Sequence, residues 1–258
     1  MKRILSGLLA AFSLYSVLPL PAGRVVWDKE GMRYTLCFFP GVGVFIFGAQ
    51  WLWSSAASGA FVSPVLFGAV AALLPVLLTG GIHMDGFIDA MDAIGSHAPP
   101  SRRLEILADP RVGAFGVMGC GGYFILSAGL WAQVSASPRH MAIASLGFVF
   151  SRAMASFSAA LIPPAKKEGM MFLLHGSAPT AAVMACSAVF FTACGAAAVL
   201  LDPLCGALTS ALCLLYRPLH RRFCLRAFGG NTGDLTGFFI LNAELICLAT
   251  AAAGGVFS

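Results

Sequence analysis

Three carboxylates and a histidine follow directly on an apolar run in the segment Gly80-Gly81-Ile82-His83-Met84-Asp85-Gly86-Phe87-Ile88-Asp89-Ala90-Met91-Asp92. Asp85, Asp89 and Asp92 are spaced i, i+4, i+7, so a helix of 3.6 residues per turn sets them on one side. Like charges stacked this way repel one another, and a hard divalent cation among them relieves the repulsion. All-oxygen ligands suit Mg²⁺, which keeps several waters and bridges one or two carboxylates to a substrate phosphate. The plainer alternative is a solvated helix face, or acids favoured at a helix N-terminus. Three acids on one side behind a glycine-rich approach exceed what capping needs. His83, two residues before Asp85, can serve as general base, phosphate donor or hydrogen-bond partner at the start of the helix.

Other polar segments match this one in kind. Asp109-Pro110-Arg111 precedes Gly113 and Gly116, glycines that let a ligand or another backbone come close. Ala165-Lys166-Lys167-Glu168-Gly169 sets two lysines at an apolar boundary, where they serve topology or a site. Gly229-Gly230-Asn231-Thr232-Gly233-Asp234 opens the last apolar run. Its backbone N–H groups and the helix that follows favour anions, and Asp234 is a candidate further metal ligand. Arg152 falls inside an apolar run, where charge is costly and is paired or functional. Its candidate partners are the helix carboxylates, a phosphate or Glu244. The basic run Arg217, His220, Arg221, Arg222 and Arg226 reads as an anchor or as a steering patch for a polyanion.

The elements that must carry these residues are membrane helices. The chain is 59% hydrophobic and 10% charged, with mean hydropathy +0.86, far outside the range of soluble domains. Runs long enough for a ~30 Å hydrocarbon core lie at Leu36 to Trp53, Ala60 to Leu78, Val112 to Val134, Met141 to Ile162, Thr180 to Leu201 and Thr236 to Val256. A shorter one extends from Pro203 to Tyr216 or on to Leu219. The expected fold is all-α: a polytopic integral membrane bundle of about seven transmembrane helices, preceded by a re-entrant or interfacial helix within Ile4 to Leu20. That first run, behind Lys2 and Arg3, superficially fits a signal peptide, but no clear cleavage site follows, and a retained helix is expected.

If Ile4 to Leu20 does not cross, Lys2, Arg3, Arg24, Lys29, Arg33, Arg102, Arg103, Arg111, Lys166, Lys167 and the basic run share one side, with only Arg139 opposite. The positive-inside tendency makes the crowded side cytoplasmic, with the N-terminus inside and the C-terminus outside. Most acids fall on that side too, which topology alone does not require, so a polar site is expected at the cytoplasmic mouth of the bundle. The net charge of +5 reflects topology and anionic ligands, and no nucleic-acid partner is expected. The eight cysteines form no C-x-x-C pair and read as small apolar residues. No internal repeat or linker divides the chain, so residues 1–258 are expected to form one catalytic domain. Small residues such as Gly119, Gly121, Gly122 and Ala128 in one span suit close helix packing within a chain or between copies.

Taken together, the motifs resemble the adenosylcobinamide-GDP ribazoletransferases, or cobalamin 5′-phosphate synthases. Thr79 to Asp92 is similar to that family's T-G-G-hydrophobic-H-x-D-G-x-x-D-x-x-D pattern. Asp109 to Val117 resembles its D-S-R-x-G-x-F-G-V, Ala165 to Met170 its A-R-x-E-G-L, and Gly229 to Asp234 its G-G-x-T-G-D. Departures are few: Pro110 stands for serine, Leu241 for an acid (Glu244 matching the next one), and Val17 for the arginine of a T-R-x-P element.

The resemblance implies an Mg²⁺-dependent enzyme of a bacterial or archaeal cytoplasmic membrane, with its active site facing the cytoplasm. Its substrates would be adenosylcobinamide-GDP and α-ribazole or its 5′-phosphate, and GMP would be released. Membrane lipid is a further partner, as is a second copy or a cobalamin-assembly complex. On this reading Asp85, Asp89 and Asp92, with Asp234, hold the metal. One of these acids or His83 takes the hydroxyl proton. Asp109, Arg111, Arg152, Lys166, Glu168, Gly230, Thr232 and Gly233 contact substrate or phosphate. Three rivals follow from the residues. A transporter would place charge near the midplane, whereas here charge gathers at one face. A CDP-alcohol phosphotransferase would carry an Ala-Arg pair that Ile88 to Asp92 lacks. A non-enzymatic scaffold would not need so many phosphate-suited groups.

Overall fold

A computed structural model describes residues 2–20, 27–60 and 62–255; Arg24 and Val256, used in the reading above, lie outside them. The described residues form eleven helices and no strand, apart from one isolated bridge between Pro164 and Asn231. In order they are α1 (Lys2–Tyr15), α2 (Thr35–Gly59), α3 (Pro64–Leu78), α4 (Ile82–Gly95), α5 (Pro100–Ile106), α6 (Ala114–Val134), α7 (Pro138–Leu161), α8 (Gly169–Ser177), α9 (Thr180–Leu201), α10 (Pro203–Phe228) and α11 (Gly233–Gly254).

Among the described residues, α2, α6, α7, α9 and α11 are each long and apolar enough to cross a membrane. Two further helices in the bundle are built from less regular material. α3 has 15 residues and returns the chain to the end where α4 begins. α10 is one unbroken helix of 26 residues, ~39 Å at 1.5 Å per residue. Its apolar first half was expected as a short span. The structure continues it past Pro218, which lies inside the helix, through Arg217, Arg221, Arg222 and Arg226 to Gly229, whose φ of +76° ends it in the left-handed region. α1, at 14 residues, is too short to span and packs along α2.

α7 is the central helix, buried almost throughout, and packs against α2, α9 and α11. Between apolar helices in lipid, close backbone approach replaces the hydrophobic drive, and glycines supply it here. Gly43 of α2 faces the Phe148 carbonyl, and Gly147 of α7 would place a Cβ 2.7 Å from that of Cys247.

The sharpest feature positions the acids. Gly80 and Gly81 adopt φ +64° and +79°, a pair of left-handed residues that only glycine takes readily. They turn the chain so that α4 leaves α3 at 97°. α4 therefore does not prolong α3 but runs across the starts of α11 and α6 at one end of the bundle. Gly86 sits on the start of α11, where a Cβ would lie 2.7 Å from the Asp234 Cα, and a Cβ on Gly237 would lie 2.7 Å from the His83 carbonyl oxygen.

A methyl at position 86 would thus press on backbone, and overpacking of this kind costs about 1–3 kcal/mol. Gly86→Ala is expected to lower the thermal unfolding temperature in detergent. Gly121→Ala, with nothing within 4 Å of its added Cβ, should leave it unchanged; equal effects would contradict the packing described.

Candidate functional site

Along α4 the three acids differ in surroundings. Asp85 is exposed, Asp89 half-buried and Asp92 buried. Burial, and then the neighbouring charges of Asp85, Asp234 and Asp92, push the Asp89 carboxyl up to about 6. That mutual influence places Asp234, in the first turn of α11, in the same charged group as the α4 acids. Two helices thus bring their carboxylates together, and the close contact at Gly86 is what lets them.

The turn before α11 is built by hydrogen bonds that hold a second loop beside it. Asn231 N–H donates to the Pro163 carbonyl at 2.8 Å, and Ala165 N–H donates to the Asn231 carbonyl at 2.8 Å. A Cβ on Gly230 would stand 2.5 Å from the Pro163 oxygen. The pairing carries half-buried Lys166 close enough to Asp234 for their charges to interact, while Glu168 stays exposed ahead of α8. Thr232 caps α11, accepting from Leu235 N–H at 3.2 Å, and its own hydroxyl donates to Asp234 Oδ2 at 3.3 Å.

These bonds revise the phosphate role expected for the turn. The Gly230 N–H is given to the Cys224 carbonyl, and the buried Thr232 hydroxyl serves the helix. Gly233 is the exposed residue of the three. Asp109 and Arg111 form an exposed bidentate pair, with Nε to Oδ1 at 2.9 Å and Nη2 to Oδ2 at 2.7 Å. These hydrogen bonds hold the Asp109 carboxyl down at about 2. Arg111 itself is 86% exposed, free to present its guanidinium to an anion.

Two expected site residues lie inside the bundle instead. Arg152 is 1% exposed, and of the partners offered by its sequence position Glu244 is the one found, Nη1 to Oε1 at 2.6 Å. The same nitrogen donates to the Phe148 carbonyl at 2.9 Å. A guanidinium so enclosed cannot reach a phosphate at the surface, and its role is interior. His83 is 5% exposed, stacked on Tyr15 at 5.8 Å and edge-on to Phe39 at 5.7 Å. Burial, reinforced by Arg152, keeps its imidazole well below the usual histidine range, hence neutral. It shares a small cavity with Tyr123, Arg152 and Glu244, whereas Asp85 lines a separate open one of about 500 Å³ with Gly81, Ile82 and Ile88.

Among the described residues, no three His, Cys, Asp or Glu side chains are gathered tightly enough to enclose an ion by themselves. The donor set still fits a hard cation of the Mg²⁺ type, which takes one or two carboxylates and completes its shell with water and phosphate. The N-terminal segment also reaches this end: Val17 N–H donates to the Leu78 carbonyl at 2.9 Å.

The family model described as cobalamin-5-phosphate synthase matches residues 7–252. An adenosylcobinamide-GDP ribazoletransferase of Lachnoclostridium phytofermentans is 34% identical, covering 98% of this chain and 95% of its own. Proteins with the same name from Clostridium botulinum strain Alaska E43 and from Corynebacterium diphtheriae are 25% and 28% identical, each over 97% of this chain and at least 93% of their own. No solved structure matches the chain.

Breaking a buried ion pair from one side leaves an uncompensated charge, at about 3–5 kcal/mol. Arg152→Met and Glu244→Met should each destabilise the protein by that order, and the double variant should recover most of the loss. Thermal unfolding of the four proteins checks this. A double variant that is stable yet has lost all affinity for phosphate-bearing ligands would instead give Arg152 a direct contact.

Proposed function

The chain belongs to the cobalamin-5-phosphate synthase family, and from that membership we propose that it joins adenosylcobinamide-GDP to α-ribazole or its 5′-phosphate, releasing GMP. The single observation that supports the reading beyond family likeness is that Asp85, Asp89, Asp234 and Lys166 lie near enough at one end of an apolar bundle for their charges to influence one another. Carboxylates for a divalent cation and cations for phosphate oxygens in one place are the parts that phosphoryl transfer needs. Apart from Arg152 and Glu244, which are closed on each other, the charges gather at an end of the helices and not along a path between them, which favours an enzyme over a transporter. The site faces the cytoplasm on this reading, by the distribution of Lys and Arg.

In the reaction the acceptor's ribose hydroxyl attacks the phosphorus that carries the cobinamide arm. A new P–O bond forms and the bond to GMP breaks. Asp85, Asp89 and Asp234 would hold Mg²⁺, which when bound neutralises charge on the phosphates. Lys166 and Arg111 bind phosphate oxygens; Arg111 exchanges the Asp109 carboxylate for them. The hydroxyl proton passes to a carboxylate of the α4 and α11 group, since His83 faces the interior. The open cavity beside Asp85, lined by Gly80, Gly81, Ile82, Met84 and Ile88, offers an apolar surface to the bulky part of a substrate next to the charged one.

Purified protein in detergent, given both substrates and Mg²⁺, is expected to release GMP together with a corrinoid product, and omission of any component should stop it. Asp89→Asn should abolish turnover without unfolding the protein. GMP release at the wild-type rate from that variant would refute the assignment of Asp89. The titration of Asp89 adds a sign: a carboxyl raised to about 6 keeps its proton below that pH. Divalent-cation affinity should therefore fall as pH drops through about 6 and level off above it. Calorimetry across that window checks both the affinity and the proton released.

A further inference from the structure

Asp92 differs from its two neighbours on α4 in what its oxygens do. Oδ2 accepts from Gly113 N–H at 2.7 Å and Oδ1 from Gly116 N–H at 2.8 Å. Those amides belong to the first turn of α6, which has no intrahelical acceptor for them. The residue at the N-cap is Gly113, with no side chain to supply one. A carboxylate is therefore brought from another helix to satisfy the turn and to sit at the positive end of the α6 dipole. Within α4 the same charge lies in the last turn, the unfavourable end of that helix's own dipole, so α4 alone does not explain an acid here.

The neighbouring residue types complete the seat. A Cβ at Gly113 would lie 2.5 Å from Asp92 Oδ1, and one at Gly116 2.5 Å from Oδ2. At Gly113 the carboxylate makes all the nearest contacts, and at Gly116 it shares the space with the Ile88 side chain and carbonyl. Asp92 is 9% exposed, and a charge so buried persists where hydrogen bonds compensate it. Asp85 is exposed and Asp89 half-buried, and neither accepts a hydrogen bond from the described residues.

We infer that Asp92 is a positioning residue: it fixes the start of α6, and with it the loop that carries Asp109 and Arg111, while Asp85, Asp89 and Asp234 face the substrate. The inference rests on the proposed function for what the loop contacts. Its own geometry does not depend on that function. It also reassigns one of the three acids that spacing alone makes equivalent, because a helical register of i, i+4, i+7 does not reveal that a second helix begins against the last of them.

Hydrogen exchange and Mn²⁺ binding on the full-length protein in detergent separate the roles. Loss of a charge-assisted hydrogen bond should speed exchange of the Gly113 to Gly116 amides about tenfold or more. Asp92→Asn is expected to show this with Mn²⁺ affinity within about twofold of wild type and a raised KM for the nucleotide-linked donor. Asp89→Asn should do the reverse, losing Mn²⁺ affinity with those amides unchanged. Gly113→Ala, whose methyl would meet the Asp92 carboxylate through all its nearest contacts, keeps the carboxylate but pushes it away and should behave like Asp92→Asn.

The inference is overturned if Asp92→Asn loses Mn²⁺ as Asp89→Asn does while the Gly113 to Gly116 amides stay protected. Should Asp92→Asn unfold globally, seen as lost protection along α7, Gly113→Ala decides: faster exchange confined to the start of α6 upholds the inference, and unchanged exchange overturns it. A wild-type protein that binds no Mn²⁺ yet shows Asp92-dependent protection upholds the positioning role and removes the metal assignment instead.

Discussion

The approach of α4 to its neighbours without intervening side chains is the constraint from which the acidic end of the molecule is built. α4 touches α11 through Gly86 against the Asp234 Cα and through Gly237 against the His83 carbonyl. It touches the start of α6 where Gly113 and Gly116 receive Asp92. Carboxylates on separate helices repel, and burial raises the cost of keeping them charged. They can be held together only if the backbones are already locked by contacts that do not involve them. Glycine supplies such contacts, because it removes the side chain that would otherwise set the interhelical distance. The repulsion that remains, visible in Asp89, is available to a cation.

Below this layer the bundle manages charge differently. Arg152 and Glu244 are enclosed and paired, and the pair ties α7, the most buried helix, to α11, which carries Asp234. An ion pair in such surroundings adds little net stability compared with apolar residues of the same size, but breaking it from one side is costly. It therefore acts as a register mark between two helices whose remaining contacts are small and apolar. His83, which shares a cavity with the pair and packs against both Tyr15 and Phe39, joins the N-terminal helix to the same stack. The charged end thus rests on a floor that is itself fixed by a polar contact.

Much of this was legible in the sequence, and the parts that were not share a physical cause. Apolar runs showed the spanning helices because a bilayer demands length and hydropathy from each segment separately. The Gly-Gly turn and the i, i+4, i+7 acids showed a helix with a charged face because periodicity is local. Partners were not legible. Arg152 had three possible ones on sequence grounds, and packing selected Glu244. Gly230 and Thr232 suited phosphate by type, yet the Cys224 carbonyl at the end of α10 takes the Gly230 N–H and the cap of α11 uses the Thr232 hydroxyl. The length of α10 was underestimated because hydropathy marks where lipid ends, not where a helix ends. The link between Asp92 and Gly113 spans 21 residues, and its one sequence trace was a pair of glycines three apart after a charged loop.

The acids and the basic groups of this end are also held by different means, and the difference suits phosphoryl transfer. Asp85, Asp89 and Asp234 stand on helices whose crossings leave no slack. Lys166 and Arg111 stand on loops. The Lys166 loop is docked through two backbone hydrogen bonds at Asn231, and Arg111 is held by an exposed pair with Asp109. Exposed ion pairs contribute about 0–1 kcal/mol, so exchanging Asp109 for a phosphate oxygen carries little penalty. A cation requires its carboxylates at fixed distances, whereas a large substrate must enter and leave past the groups that grip its phosphates. Rigid acids and exchangeable bases meet both demands, and the fold assigns each to the kind of element that can provide it.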